Sequence, residues 1–231
     1  MHWIESSVEL VEPIDAVAAK RKVEIACRNC YKSEDKIEDG SAERLIRSCI
    51  KRGHESPLEH YAVTYRVICD RAILAEWTRH RLASYCVESQ RYCAYNKDKF
   101  GSTITCVLPT WAEEIQHMSV FDMDEAQKRQ YLMFQRLDTA CCSAEATYFA
   151  MLGEEMRPED ARAILPNCVK TDIVCTMNLR ELRHFIRLRS SAAAHPDIRK
   201  LAIQLLKLMR DNGLGVFFED IEVEDAGTTK E

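Results

Sequence analysis

Residues Tyr61–Tyr92 read YAVTYRVICDRAILAEWTRHRLASYCVESQRY, and the pattern changes twice along that stretch. Tyr61–Cys69 is rich in β-branched and aromatic residues and reads as a strand. Arg71 to about Ser84 reads as a helix whose apolar residues are Ile73, Leu74 and Trp77. Tyr85–Tyr95 is less regular and reads as a loop. Counting three and four onward from Trp77 lands on His80 and Arg81, so polar groups continue the stripe that should face inward. A buried Arg-His-Arg run is costly unless something anionic meets it. The plainer reading of the same spacing is a solvated helix end carrying a Glu76–His80 pair.

Outward from this stretch, helices and strands mix without strict alternation. Val8–Val11 reads as a strand, and Pro13 opens a helix to about Cys30. Ser41 caps a helix over Ala42–Arg52 that Gly53 ends. Thr103–Leu108 and Thr171–Met177 read as strands. Asp122–Leu152 is a long helix that Asp122 or Asp124 caps, and Pro158 starts a short helix ending before Pro166. Asn178 begins a helix to Arg189, and Pro196 begins one that Asn212-Gly213 terminates. The fold class expected is α+β, with an antiparallel-type sheet. No G-x-G-x-x-G and no G-x-x-x-x-G-K-[ST] occurs, so neither a standard dinucleotide fold nor a P-loop is supported. Residues 1–218 are expected to form one domain of two intimately packed lobes, followed by a frayed acidic tail at 219–231.

The chain has 231 residues, 46% hydrophobic and 30% charged, a globular balance. No apolar run approaches the ~20 residues of a membrane helix, and Met1–Pro13 lacks the pattern of a signal peptide. Eleven cysteines, an odd number, read as reduced thiols of a cytoplasmic protein, several of them core residues. Cys27 and Cys30 form a CxxC pair, but no second pair follows at zinc-ribbon spacing, so no metal is expected. The net charge of −5 argues against extended nucleic acid as a partner. An anionic ligand would have to meet a local cluster of arginines.

Two such clusters stand out. The first continues from Arg79-His80-Arg81 into Ser84, Ser89, Gln90, Arg91 and Tyr92, which supply hydroxyls, an amide, a guanidinium and a ring. Arginine forks and serine hydroxyls suit phosphate oxygens, and an aromatic ring can stack on a base. The second is Asn178–Arg189, NLRELRHFIRLR. Leu182, Phe185 and Ile186 form its buried face, and Arg189 extends that face. Arg180, Arg183 and Arg187 lie at other angles, solvated or meeting a second ligand, and Arg162 reads as a surface arginine.

Arg79, His80, Arg81, Ser89, Arg91 and Tyr92 together resemble the signature of the flavin-dependent thymidylate synthases: Arg-His-Arg, seven residues, Ser, and Arg-Tyr two further on. GHESPLEH (Gly53–His60), ARAILP (Ala161–Pro166), NLRELRHFIRLR and CYKS (Cys30–Ser33) resemble other family segments in the right order. The resemblance spans roughly residues 8 to 217. It implies a homotetramer that binds FAD where subunits meet. It implies methylation of dUMP to dTMP with 5,10-methylenetetrahydrofolate as carbon donor and NADPH as reductant, releasing tetrahydrofolate. Ser56, Arg79, His80, Arg81, Asn178, Arg180 and His184 resemble the flavin-contacting residues. Glu76, Arg79, Glu88, Ser89, Gln90, Arg91, Arg162 and Arg189 resemble the nucleotide-binding set. Arg189 would favour ionisation at N3 of the uracil, as a fixed cation does beside developing negative charge. Ser89 would orient the nucleotide.

Three positions depart from the family pattern. Cys86 and Val87 stand where Asn-Glu is usual, with Glu88 as a substitute carboxylate. Glu76 stands where Gln is frequent, and beside dUMP it would have to pair with an arginine or sit back. Ala193 replaces a histidine, with His195 two residues on. Two rival readings compete with the synthase. His54, Glu55, Glu59 and His60 suggest a metal hydrolase, but neither H-E-x-x-H nor H-x-x-E-H is met. A non-catalytic nucleotide- or RNA-binding protein on the same scaffold is the second.

Overall fold

The computed structural model describes residues 1–91, 95 and 101–223. In chain order the elements are β1 (His2–Ile4), β2 (Ser7–Leu10), α1 (Ala16–Asn29), α2 (Ser41–Lys51), β3 (Ala62–Asp70), α3 (Arg71–Trp77), β4 (Ala83–Val87) and β5 (Thr105–Val107). They continue as α4 (Thr110–Gln116), α5 (Glu125–Gly153), α6 (Pro158–Ala161), β6 (Lys170–Asn178), α7 (Leu179–Arg189) and α8 (Pro196–Met209). Four strands form a sheet in the order β2-β3-β6-β4. β3 and β6 run antiparallel: Leu179 N–H donates to the Tyr61 carbonyl near one end and Arg71 N–H to the Asn167 carbonyl at the other. The α+β expectation therefore holds. So does the antiparallel expectation for this sheet; a separate two-stranded sheet pairs β1 with β5 in parallel, His2 opposite Thr105 and Ile4 opposite Val107.

The chain divides into two compact units. The first comprises Met1–Ser7, Ile68–Ala75 and Val87–Ile173. Its apolar clusters gather Ile104, Cys106, Cys141 and Tyr148 in one group, and Leu108, Ile115 and Phe134 in another. Helix α5 begins where Asp124 accepts from the N–H groups of Ala126 and Gln127, while the Gln127 side chain returns a bond to the Asp124 N–H. The second unit comprises Val8–Val67, Glu76–Cys86 and Val174–Glu231. Val23, Ile46, Leu58, Tyr65, Trp77, Phe185, Leu205 and Phe217 are buried there. Past α8 a wider helical turn, Arg210–Leu214, is broken as expected at Asn212-Gly213; the φ of +81° at Gly213 suits glycine, and a Cβ there would come within 2.8 Å of the Ala16 Cβ.

Three local expectations fail. The helix read from Arg71 to Ser84 stops at Trp77, and Tyr85–Val87, read as loop, belongs to β4. The Tyr85 hydroxyl donates to the carbonyls of Trp77 (3.1 Å) and His80 (2.6 Å), supplying from across the turn what another helical turn would have supplied. Ser41 does not cap α2: Gly40 holds that place, and the Ser41 hydroxyl instead donates to Glu24. The tail read as frayed from Glu219 is docked at its start. Glu219 pairs with Arg47, Asp220 with Arg183, and Ile221 is buried. Among the described residues, no helix is long and apolar enough to cross a membrane.

Candidate functional site

In the second unit, Asn178 accepts the Glu181 N–H (2.9 Å) and so fixes the start of α7. Leu182, Phe185 and Ile186 are fully buried and pin that helix, each contributing roughly 1.5–3 kcal/mol of apolar burial. One turn beyond Phe185, Arg189 leaves the helix end half-buried. Its Nη1 lies 2.7 Å from Glu76 Oε2, its Nη2 donates to the Glu76 carbonyl (3.1 Å), and its Nε donates to His80 Nε2 (3.1 Å). Arg189 therefore continues the Phe185 face, as its spacing predicts. The Glu76–His80 pair does not form; both residues turn to Arg189 instead.

Because His80 Nε2 accepts from Arg189, the ring proton sits on Nδ1, facing Glu181 Oε1 at 3.3 Å. His80 is 6% exposed, with Phe185 packed edge-on against its ring. Burial, the Arg189 cation and His184 push its pKa down to about 4, so the ring is neutral. Burial raises the pKa of Glu181. The order Glu181–His80–Arg189–Glu76 thus aligns one guanidinium through an uncharged ring on one side and a carboxylate on the other.

The remaining second-unit candidates are more dispersed. Arg79 and Arg81 are exposed, and among the described residues neither guanidinium meets a carboxylate; the helix spacing that put Arg81 on a buried face ends with α3. Ser56 is exposed and lines a groove with Lys22, Asn29, Cys30 and His60. Arg180 pairs with Glu59 at 2.5 Å, and His184 is exposed, its ring 5.8 Å from that of His80. His195 caps α8 by accepting the Asp197 N–H.

In the first unit, Glu88 Oε2 takes a 2.8 Å bond from Lys170. The Ser89 hydroxyl accepts the Arg91 N–H (3.3 Å), and Gln90 is half-buried. Arg91 pairs with Glu159 (3.3 Å), while the exposed Arg162 donates to the Glu159 carbonyl (3.0 Å). Cys86, in the second unit, and Val87, in the first, are both exposed on β4. Tyr92 lies outside the described residues.

Three residues escaped the sequence reading. Glu181 lies four before Phe185, and that spacing could have placed it on the buried face. Arg183 was expected to be solvated or bound to a ligand, yet it is fully buried: it makes a two-pronged pair with Asp220 (2.8 and 2.9 Å) and also donates to the Phe217 carbonyl. Lys170 gave no signal, since its partner Glu88 is 82 residues away. The hydrolase reading finds no support: Glu55 and Glu59 serve Arg183 and Arg180, and His54 and His60 gather in no metal-ligand group among the described residues.

Residues 13–212 match the family described as thymidylate synthase complementing protein. The chain is 31% identical over 195 residues to a flavin-dependent thymidylate synthase of Geobacter sulfurreducens, covering 81% of this chain and 76% of that protein. A protein of the same name from Mycobacterium avium is 33% identical over 215 residues, 90% of this chain and 82% of its own. One from Pyrococcus furiosus is 32% identical over 178 residues, 77% of this chain and 66% of its own. Motif residues that join through Arg189 and a match over most of the sequence lead to one conclusion: the chain belongs to the flavin-dependent thymidylate synthase family.

Proposed function

We propose that this protein converts dUMP to dTMP as an FAD-dependent thymidylate synthase, with 5,10-methylenetetrahydrofolate as carbon donor and NADPH as reductant. The observation that carries the proposal is the meeting of two distant motif segments at one arginine, Arg189 on Glu76 and His80. The donor set also fits a flavin dinucleotide: Arg79 and Arg81 present guanidinium groups that no described carboxylate neutralises, as a diphosphate requires. Bound FAD supplies the electron transfer that lets tetrahydrofolate be the released folate.

The chain's own residues bind, orient and polarise. Arg189 holds a fixed positive charge where the uracil gains negative charge. His80 holds that guanidinium through a neutral nitrogen, so that the second cation an imidazolium would make is avoided. Ser56, Arg79, His80, Arg81, Asn178, Arg180 and His184 form the flavin-binding set. Glu76, Arg79, Glu88, Ser89, Gln90, Arg91, Arg162 and Arg189 form the nucleotide-binding set. These sets are completed in a cytoplasmic homotetramer with FAD at subunit interfaces, residues 1–218 acting as one functional domain. Neither nucleic acid nor a membrane is a partner.

The decisive experiment is an absorption spectrum of the purified protein before and after dUMP and NADPH, followed by turnover with methylenetetrahydrofolate. A flavin spectrum near one per chain, bleached by NADPH, with dTMP formed, is expected. Colourless protein that takes up no added FAD overturns the proposal.

A further inference from the structure

Three cysteines far apart in sequence meet inside the first unit. Cys106 lies in β5, Cys141 in α5, and Cys168 in the segment that leads into β6. Their sulfur atoms all lie within 4.8 Å of one another, and those of Cys141 and Cys168 are 3.4 Å apart. Cys106 and Cys141 are 0% and 3% exposed, and Cys168 is half-buried. Backbone pairing sets the arrangement: Val107 N–H donates to the Cys168 carbonyl (2.8 Å), and β1 holds β5 in register from the other side.

A single buried cysteine is a small apolar residue that needs no further account. Three converging thiols differ, because each brings a soft donor and a removable proton to the same point. The second unit offers a contrast. Cys27 and Cys49 also approach to 3.4 Å, but no third ligand atom joins them among the described residues.

We propose that Cys106, Cys141 and Cys168 form a three-thiolate site for zinc. Zinc–thiolate bonds of about 2.3 Å in tetrahedral geometry set sulfurs roughly 3.8 Å apart, a spacing these three reach with small side-chain rotations. All-sulfur donors exclude magnesium and calcium. Of the thiophilic ions, a divalent one leaves a single net negative charge on three thiolates, whereas monovalent copper leaves two. Beside Tyr148, Val169 and Ala161 the smaller buried charge costs less. Cys168 is the least buried of the three. Its partial exposure leaves the fourth position to water. Binding displaces the thiol protons to solvent and changes no oxidation state. The ion ties β5, α5 and the entry to β6 together, independently of the flavin and nucleotide chemistry.

The test uses the full-length protein, purified reduced and metal-free. Zinc is titrated in competition with a chromophoric chelator, and cadmium then serves as a probe of sulfur ligation by difference absorption. One tightly held equivalent, a sulfur-to-cadmium charge-transfer band and a higher unfolding temperature with zinc are expected. Cys106→Ser, Cys141→Ser and Cys168→Ser should each weaken zinc by more than the roughly 10–100-fold that loss of an outer-shell partner costs. Cys27→Ser and Cys49→Ser should leave binding unchanged. The wild-type titration decides the matter even where a serine variant fails to fold. Absence of stoichiometric binding, a cadmium band that survives triple replacement, or a Cys141–Cys168 disulfide in freshly isolated protein overturns the proposal.

Discussion

Arg189 Nη1 sits 2.7 Å from Glu76 Oε2, and the same arginine bonds the Glu76 carbonyl. A glutamate at a position where the family often carries glutamine is thereby answered with charge, since a carboxylate so placed offsets much of the guanidinium's field. Arg189→Ala should lower turnover by about 100-fold or more, the range for loss of one preorganised donor, while flavin absorbance persists. Glu76→Gln keeps an acceptor for Arg189 but frees its charge, and should raise kcat/KM for dUMP by up to about tenfold. Steady-state rates check both variants; a near wild-type rate for Arg189→Ala removes its assigned role.

His80 makes stability depend on acidity. Its folded pKa of about 4 lies below the ordinary 6.5, so the folded state resists protonation. The stability this represents is fully present above about pH 6.5 and is lost as pH falls toward 4, a loss of up to roughly 3 kcal/mol. Glu181 works in the opposite direction, because its raised pKa favours the folded state as it takes up a proton. Urea midpoints measured between pH 7 and 4 should fall for the wild type and flatten in His80→Gln. Parallel curves for the two proteins would remove His80 as the cause.

Arg183 spends its guanidinium on holding the chain together. It is fully buried and binds Asp220 with two bonds, and the Asp220 carboxyl is held near 2, chiefly by those bonds. Arg183→Met removes the guanidinium, strands the Phe217 carbonyl and leaves Asp220 to Arg187 alone, which should cost about 1–3 kcal/mol. Chemical denaturation measures that loss. Folded protein that remains should keep the wild-type KM for dUMP within about twofold; a large KM rise at unchanged stability would reassign Arg183 to the ligand.

What the sequence disclosed and what it hid divide by range. Local spacing placed Arg189 on the Phe185 face and narrowed the cap of α5 to Asp122 or Asp124, of which the fold uses Asp124. The end of α3 was hidden, because the hydroxyl that meets its last carbonyl, on Trp77, and the His80 carbonyl just past it comes from Tyr85, beyond the turn. Arg183 was misjudged for a related reason: its partner Asp220 stands 37 residues away in a segment that reads as tail. The three thiols of the first unit carry no signature at all, since each comes from a different element. Residue types announced the chemistry of the site, and long-range partners decided which arginines were available for it.

Ser89 stands at the serine of the signature, where a nucleophile could be imagined. Its hydroxyl accepts the Arg91 N–H at 3.3 Å, a local turn that sets the loop's shape. A serine attacks only with a base to take its proton, and none bonds to this hydroxyl among the described residues. Ser89→Ala should therefore raise the KM for dUMP by roughly tenfold and retain measurable kcat. Loss of kcat by about a million-fold, the scale seen when a true nucleophile is removed, would reverse the assignment.

Glu88 and Val87 test how this chain manages without the family's usual carboxylate. Glu88 Oε2 is bound to Lys170 at 2.8 Å, and both side chains are largely shielded, 14% and 21% exposed. The pair therefore holds its loop as much as it serves a ligand, and only Oε1 is left to reach the nucleotide. Glu88→Gln should cost about 1–2 kcal/mol of stability and change the KM for dUMP by less than about tenfold. Val87 is exposed on β4, so Val87→Glu should leave stability within about 0.5 kcal/mol and keep or raise activity. Thermal melts and dUMP kinetics on both variants separate the roles. If Glu88→Gln abolishes dUMP binding with no change in melting, the carboxylate belongs to the nucleotide and Lys170 is its guide; if Val87→Glu abolishes turnover, Val87 does not stand in the place of the family's carboxylate.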